Sequence, residues 1–388
     1  NIMTKSTPND SDSSSSSSSS GRHVVCGVNS YNIGRPLMQM VHFVWTYLRV
    51  FEKEELLRQK GRKRNEDDET IDHNEQQQQQ SSSSSSSSLP PAMKLDVVIP
   101  TGAMGNAVGC YMAKQLLGVP INKIVCACNV NDTTYQVMEK TGQIQRPSPS
   151  AQMQKTLSDA INIQLPYNLE RLLFYLTGGN HQLIHDWYST IESSSNTATA
   201  QVSSISGVVD LNQPLEISAL DKDQGNSNTT KTATKNWFRE LQKEFRSVRV
   251  TDDELCETMR FFRDKYHYIA DPHTGVAFHA AWQLGYFTKD ESDQREGMTS
   301  TEHRVPVAIM ATASPCKFQE AVTVALGPET WDQYYHNSDQ FPSSAKQLLT
   351  KPETEPILYR YNKTKSFAEN QIDWESQTRR LIQELQQQ

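Results

Sequence analysis

The sequence predicts an α/β protein, an open, twisted, mostly parallel sheet with flanking helices. A short apolar, β-branched run, Asp96-Val97-Val98-Ile99-Pro100, is long enough for one buried strand. A helical pattern from Ala107 to Leu117 follows, stopped by Gly118 with Pro120 just beyond. A second apolar run, Ile124 to Cys128, then reads as the next strand. Strand, helix and strand in that order make the unit from which parallel sheets are built.

Between the first strand and its helix, Thr101 to Asn106 place Gly102 and Gly105 three apart, where φ > 0 and close backbone approach are cheap. The loop opens a helix, and free N–H groups with the macrodipole favour an anion there, phosphate above all. It is not G-x-x-x-x-G-K-[ST], because no Lys follows the second glycine, nor G-x-G-x-x-G. Spacing alone leaves two readings open: a phosphate cradle, or a tight strand-to-helix turn with no ligand.

A chain of 388 residues has room for two domains or one large one, but composition removes part of it. Ser13 to Ser20, Gln76 to Gln80 and Ser81 to Ser88 are homopolymer runs, and residues 189–235 are polar with little apolar periodicity. Such segments bury too little apolar surface to offset chain entropy. We therefore expect a disordered tail at 1–20, a low-complexity insertion at 60–92 and a polar insertion at 189–235. The α/β domain is assembled from 21–59, 93–188 and 236–388, the last including C-terminal helices.

The formal net charge of −7 argues against a nucleic-acid partner. The basic run Lys60 to Arg64 borders acidic Glu66 to Glu69 and reads as the solvated end of a helix, with a localisation signal as the alternative. Six cysteines show no disulfide or zinc spacing, so no metal is expected. Cys126 and Cys128 alternate on a strand and share one face as buried thiols. The longest apolar run, Pro36 to Val50, contains His42 and is too short to span a bilayer, so no membrane partner is expected. The chain starts with Asn1 rather than Met, which suggests a fragment. A cytoplasmic location is expected, or a plastid one if a transit peptide precedes Asn1.

Along the chain, Arg22 to Val28 reads as a strand and Asn29 to Asn32 as the polar turn after it. From Gly34 to about Gln59, Leu37, Met40, Val41, Val44, Trp45, Leu48 and Phe51 recur at helical spacing and are expected to face a core. Asn29, Ser30, Asn32 and Arg35 crowd a strand's carboxyl end and a helix's first turns, where open α/β sheets bind ligands. Arg35 suits a phosphate through its planar fork of donors, with a surface salt bridge as the plainer alternative. Thr134 to Glu139 is a short helical run stopped by Thr141-Gly142. Asn168 to Tyr175 is a helix on which adjacent Glu170 and Arg171 point apart and make no acid/base pair. Trp237, Leu241 and Phe245 mark one helix, and Thr251 to Glu254 is a capping box opening another. His273 starts a helix or acts in catalysis. Val305 to Met310 is a strand, Ala311 to Phe318 opens a helix, and the tail from about Ser366 is a polar helix with a weak apolar face.

The wording of these segments resembles the threonine synthase family, pyridoxal-phosphate enzymes of fold type II. Pro100 to Asn106, P-T-G-A-M-G-N, is similar to the family's P-T-G-N-F-G-N. Val28 to Phe43, V-N-S-Y-N-I-G-R-P-L-M-Q-M-V-H-F, matches V-N-S-I-N-x-x-R-I-L-x-Q-I-V-Y-Y. Ser158 to Phe174 matches S-P-A-M-D-I-x-V-P-Y-N-F-E-R-L-L-F, Asp271 to Ala277 matches D-P-H-T-A-V-G, and Ala311 to Phe318 matches T-A-H-P-x-K-F. Five matches in one order cover most of the patterned sequence from Arg22 to Phe318.

The resemblance implies pyridoxal 5'-phosphate, its phosphate held by Gly102, Ala103, Met104, Gly105 and Asn106 and its ring nitrogen faced by Thr312. It implies O-phosphohomoserine as substrate, contacted by Asn29, Ser30, Asn32 and Arg35. The implied reaction removes an α-proton and then a β-proton, expels phosphate from the γ-carbon and adds water at the β-carbon to give threonine. Ala103 and Met104 stand where the family has Asn-Phe, and Ser314 where it has His. The family's Schiff-base lysine lies in S-F-K-D, which occurs nowhere in the 388 residues. No catalytic residue is therefore assigned within this chain; the lysine is expected upstream, and the chain alone is expected to be inactive. A catalytically inactive relative serving protein interaction, or a related phospho-lyase, are the alternatives, and the sequence does not give the oligomeric state.

Overall fold

Helix α1 spans Gly34–Glu69, running past the expected stop near Gln59. The computed structural model describes residues 32–69, 93–146, 152–193, 207–220, 230–287, 305–337, 339–352 and 358–386. The tail at 1–20, the expected strand at Arg22 to Val28, and Asn29 and Ser30 lie outside the described residues. In α1, Met40 and Phe43 are buried, with Val44, Tyr47 and Val50 packed partly buried beside them. This seam lies on α2 (Gly105–Leu117), where Gly109 lets the Pro36 carbonyl and Gln39 come close. Leu37, Val41, Trp45, Leu48 and Phe51, expected to face the core as well, are exposed. The apolar positions form two seams, and one neighbouring helix covers only one of them.

Strand β1 (Leu95–Pro100) is buried at every residue, as a strand covered on both faces must be. Each such Val, Leu or Ile contributes roughly 1.5–3 kcal/mol by burial. Helix α2 ends at Gly118 in the left-handed conformation, φ 67°, which an L-residue with a Cβ adopts only at a cost. Strand β2 (Ile121–Cys128) follows, then α3 (Thr133–Tyr135), which widens into a π turn through Lys140 before Thr141-Gly142.

The next elements are β3 (Gln143–Gln145), a single 3-10 turn at Asp159–Ile161, α4 (Leu169–Leu176) and α5 (His181–Ser193). The stretch 189–235, expected as a polar insertion of little structure, contains β4 (Val208–Asp210), β5 (Leu215–Leu220) and β6 (Thr230–Lys235). β4 pairs antiparallel with β3, and β5 with β6. Its Thr-rich wording, polar as it is, favours strand over disorder.

Helix α6 (Trp237–Glu244) stops one residue before Phe245, which begins β7 (Phe245–Arg249) instead of extending the helix. Phe245 and Val248, on opposite faces of the strand, are both buried in the ladder with β2, opposite Ile124 and Ala127. Helices α7 (Asp252–Tyr266) and α8 (Pro272–Gln283) precede β8 (Val307–Ile309), a 3-10 turn at Pro315–Lys317, α9 (Gln319–Leu326) and α10 (Pro328–His336). The main sheet has the order β7-β2-β1-β8 and is parallel throughout.

The capping box of α7 is as expected: Glu254 Oε2 accepts the Thr251 N–H at 2.8 Å and Thr251 Oγ1 accepts the Glu254 N–H at 3.4 Å. Thr251→Ala is expected to destabilise the protein by about 0.5–2 kcal/mol in urea unfolding, with the slope unchanged. Cys126 and Cys128 are buried, unpaired thiols whose pKa values burial pushes up to about 12. They stay protonated and unreactive at neutral pH.

Residues 337–388 cluster as a second compact unit. It holds α11 (Ser343–Leu349) and α12 (Phe367–Gln386). Within it, buried Asn370 accepts the Asn362 N–H at 2.6 Å and donates to the Asn362 and Ser366 carbonyls. Among the described residues no helix is long and apolar enough to cross a membrane.

Candidate functional site

β1 and β8 are parallel neighbours, with Val98 opposite Ile309, so both deliver their chain to the same sheet edge. Thr101 to Asn106 leave from β1, and Met310, Ala311 and Thr312 leave from β8. The first turns of α1 close another side. Between them lies a cleft of about 570 Å³. Gly102, Ala103, Met104, Gly105, Asn106, Thr312 and Arg35 all line it, so one wall gathers positions far apart in sequence. Asn32 is not among the lining residues; its Oδ1 accepts the Gly34 N–H at 2.9 Å and caps α1.

The wall is selective by charge. Among its described residues are Arg35 and His42, and there is no Asp, Glu or Lys. In a chain of formal charge −7 this carboxylate-free surface favours an anion. No lysine amine of the described residues lines the cleft, so none is placed to bond a carbonyl group there.

The loop has a geometry that two glycines alone do not foretell. The positive φ falls on Met104, at φ 65° and ψ 9°, and on neither Gly102 nor Gly105. That conformation costs a non-glycine residue roughly 1–2 kcal/mol, and burial of the Met104 side chain, 2% exposed, helps to hold it. Gly102 serves close approach: a Cβ there would lie 2.9 Å from Ile161 Cα and 3.1 Å from Ile163 Cγ1. The first backbone bond of α2 runs from Val108 N to Met104 O, so the N–H groups of Gly105, Asn106 and Ala107 precede it without intrahelical acceptors. An anion at this turn meets several donors and the positive end of the macrodipole.

Two orphaned polar atoms lie on the wall. Gln39 Oε1 and Asn106 Oδ1 are buried with no hydrogen-bond partner. Leaving such a group unpaired costs about 1–3 kcal/mol, which a bound ligand relieves. A half-turn of the Asn106 amide replaces that oxygen with Nδ2, a donor suited to phosphate. The residues present thus fit a phosphate-bearing group.

Behind the wall, Asp271 caps α8, accepting the His273 N–H at 3.0 Å and the Thr274 N–H at 3.4 Å. Thr274 Oγ1 also donates to Asp271 Oδ2. His273 is buried, and its Nε2 accepts the Ala160 N–H at 3.1 Å, which leaves Nδ1 to donate to Asp271 Oδ1 at 3.0 Å. His273 therefore starts a helix and ties down the turn bearing Ala160 and Ile161, both on the wall. Burial acts to raise the Asp271 pKa, but the bonds from His273 and Thr274 outweigh it and hold it below the usual value. Asn129 makes a similar tie, its Nδ2 donating to Thr156 Oγ1 at 2.9 Å and Asn162 Oδ1 at 2.7 Å.

The sequence reading passed over Gln39, His42 and Tyr167 on the wall and Asn168 behind it. Each lies inside a quoted segment, but nothing in spacing or residue type set it apart from its neighbours. Glu170 is exposed while Arg171 turns inward, as adjacent helical positions should.

A family model described as threonine synthase, C-terminal, matches residues 293–365. The chain is 24% identical over 340 residues to threonine synthase of Schizosaccharomyces pombe, covering 86% of this chain and 51% of that protein. It is 29% identical over 241 residues to threonine synthase-like 2 of Homo sapiens, covering 62% of this chain and 39% of that protein. A solved structure of pyridoxal-phosphate-bound threonine synthase from Brucella melitensis superposes with a TM-score of 0.53 at 20% identity, covering 86% of this chain and 50% of that one. That likeness establishes a fold type II α/β architecture. The chain spans about half the length of the full curated relatives it matches.

Proposed function

We propose, from the chain's membership of the threonine synthase family, that it forms the phosphate-holding part of an enzyme that converts O-phosphohomoserine and water to threonine and phosphate with pyridoxal 5'-phosphate. One observation carries this reading. The glycine loop and Thr312, far apart in sequence, share a cleft whose described wall carries no carboxylate.

When bound, pyridoxal phosphate supplies an electron sink that makes protons near the amino-bearing carbon acidic. The backbone N–H groups of Gly102 to Asn106 would hold its phosphate, and Thr312 would face its ring nitrogen as a neutral hydroxyl partner. Arg35 would grip the substrate's phosphate through its fork, and Asn29, Ser30 and Asn32 would orient the rest of the substrate. Apolar Ile161, Ile163 and Met310 on the wall exclude water and strengthen these contacts. The lysine that bonds the cofactor would come from a part of the protein outside this chain, because the family's S-F-K-D occurs nowhere in it and no lysine of the described residues lines the cleft. Free buried thiols at Cys110, Cys126, Cys128 and Cys256 support a reducing, cytoplasmic setting.

The test is to incubate a complete protein containing this chain with O-phosphohomoserine and pyridoxal phosphate. Threonine and inorganic phosphate should appear in equal amounts, while the 388-residue chain alone makes neither. Turnover by the chain alone would refute the external lysine. A complete protein that binds no pyridoxal phosphate would point to a non-enzymatic relative. A second reading is a related phospho-lyase acting through the same phosphate-binding loop, and a product other than threonine would establish it.

A further inference from the structure

Asn168 lies at the start of α4, wholly buried, and reaches the glycine loop twice. Its backbone N–H donates to the Ala103 carbonyl at 3.2 Å, and its Nδ2 donates to the same oxygen at 2.8 Å. Arg171, one turn along, donates from Nη1 to Asn168 Oδ1 at 2.6 Å. These partners fix which way the amide points, because a carbonyl oxygen can only accept and a guanidinium can only donate.

The Ala103 carbonyl shares a rigid trans peptide plane with the Met104 N–H, and the two point in opposite directions. Holding the carbonyl on Asn168 therefore directs the Met104 N–H away from it. Ala103 and Met104 line the cleft while Asn168 does not. The side chain at 103 is a methyl group and can hydrogen-bond nothing. Met104 holds a left-handed conformation that a residue with a Cβ adopts only at a cost.

We propose that Asn168, itself held by Arg171, is the positioning residue that sets the anion-binding conformation of the Gly102 to Asn106 loop, an assignment that rests on the phosphate-cradle reading above. Its carbonyl grip does from outside the loop what an unsupported Ala103-Met104 peptide cannot do from within. The ligand class it serves is the phosphate monoester dianion, with the ring that bears it recognised elsewhere in the cleft.

The experiment titrates the full chain with pyridoxal 5'-phosphate and, in parallel, with pyridoxal, following quenching of tryptophan fluorescence; Trp45 lies on the cleft wall. The wild-type chain should prefer the phosphate form by about tenfold or more, the scale of charge-assisted hydrogen bonds. In Asn168→Ala, which keeps only the backbone bond to Ala103, that preference should fall several-fold while pyridoxal affinity stays the same, and Arg171→Met should lose less of it. Leu172→Ala, which removes buried apolar volume from the same helix, should lower the melting temperature and leave the preference intact. An Asn168→Ala chain with the wild-type preference would overturn the proposal and leave the cradle reading standing. A wild-type chain with no preference would overturn both. Should Asn168→Ala fail to fold, Arg171→Met decides, and an unchanged preference there overturns the proposal.

Discussion

Gly102→Ala is expected to weaken pyridoxal-phosphate binding at least about tenfold and to lower stability by roughly 1–3 kcal/mol, the usual cost of overpacking. The added methyl meets backbone, not the flexible end of a side chain: Ile161 Cα lies 2.9 Å from where it would sit. That backbone cannot easily withdraw, because the Ala160 N–H beside it is held by His273 and Asn162 is held by Asn129. Either the loop moves into the cleft or the wall tears from its ties, and both spoil the cradle. Thermal unfolding and cofactor titration on the same variant measure the two consequences. Wild-type affinity with an unshifted melting temperature would mean that the 161–163 wall is soft and the close approach unimportant.

The second large effect is expected at Asp271→Ala, with a loss of about 3 kcal/mol. It removes the cap of α8, worth roughly 0.5–2 kcal/mol, and leaves the buried Nδ1–H of His273 without an acceptor, worth about 1–3 kcal/mol more. The loss should depend on pH in a definite direction. Asp271 has a folded pKa below its unfolded value, which is near 3.9. Its contribution is therefore fully present above about pH 4 and fades as acid protonates the folded carboxyl below that. Wild type and variant should differ most from pH 5 to 7, and the gap should narrow as the pH falls below about 4. Urea unfolding of both proteins across that range checks the prediction. A gap of constant size would mean that the carboxylate charge at position 271 contributes nothing.

The parts of the fold readable in sequence were those where local chemistry and tertiary packing agree. Asp96 to Pro100 is β-branched and wholly apolar after its first residue, so burial on both faces leaves it one place, the middle of a sheet. Thr251 and Glu254 cap a helix by themselves and need no distant partner. Phe245 went the other way, because its spacing from Trp237 and Leu241 fits a helix while pairing with β2 claims it for a strand. Tertiary hydrogen bonding overrode local period there. Leu37, Val41 and Trp45 misled for a related reason, since periodicity reports an apolar face without saying whether a neighbour covers it.

The candidate site shows the same division. Gly102 to Asn106 announced itself through glycines at a strand-to-helix turn, and Thr312 and Arg35 through resemblance and position. The left-handed Met104 had no such signal, because the restraint that keeps it there comes from a helix more than sixty residues away. Asn168 was overshadowed by the charged pair beside it. A buried amide carrying no charge leaves little trace in a sequence, although its hydrogen bonds decide which way a peptide faces.

Helix α1 meets the cleft only with its first turns. Its 36 residues, at about 1.5 Å each, carry the other end roughly 50 Å off. In sequence, the glutamine and serine runs of residues 76–88 follow α1 and precede β1. A gain or loss of residues in those runs leaves the wording of both elements unchanged, so variants that differ only in run length should share one melting temperature.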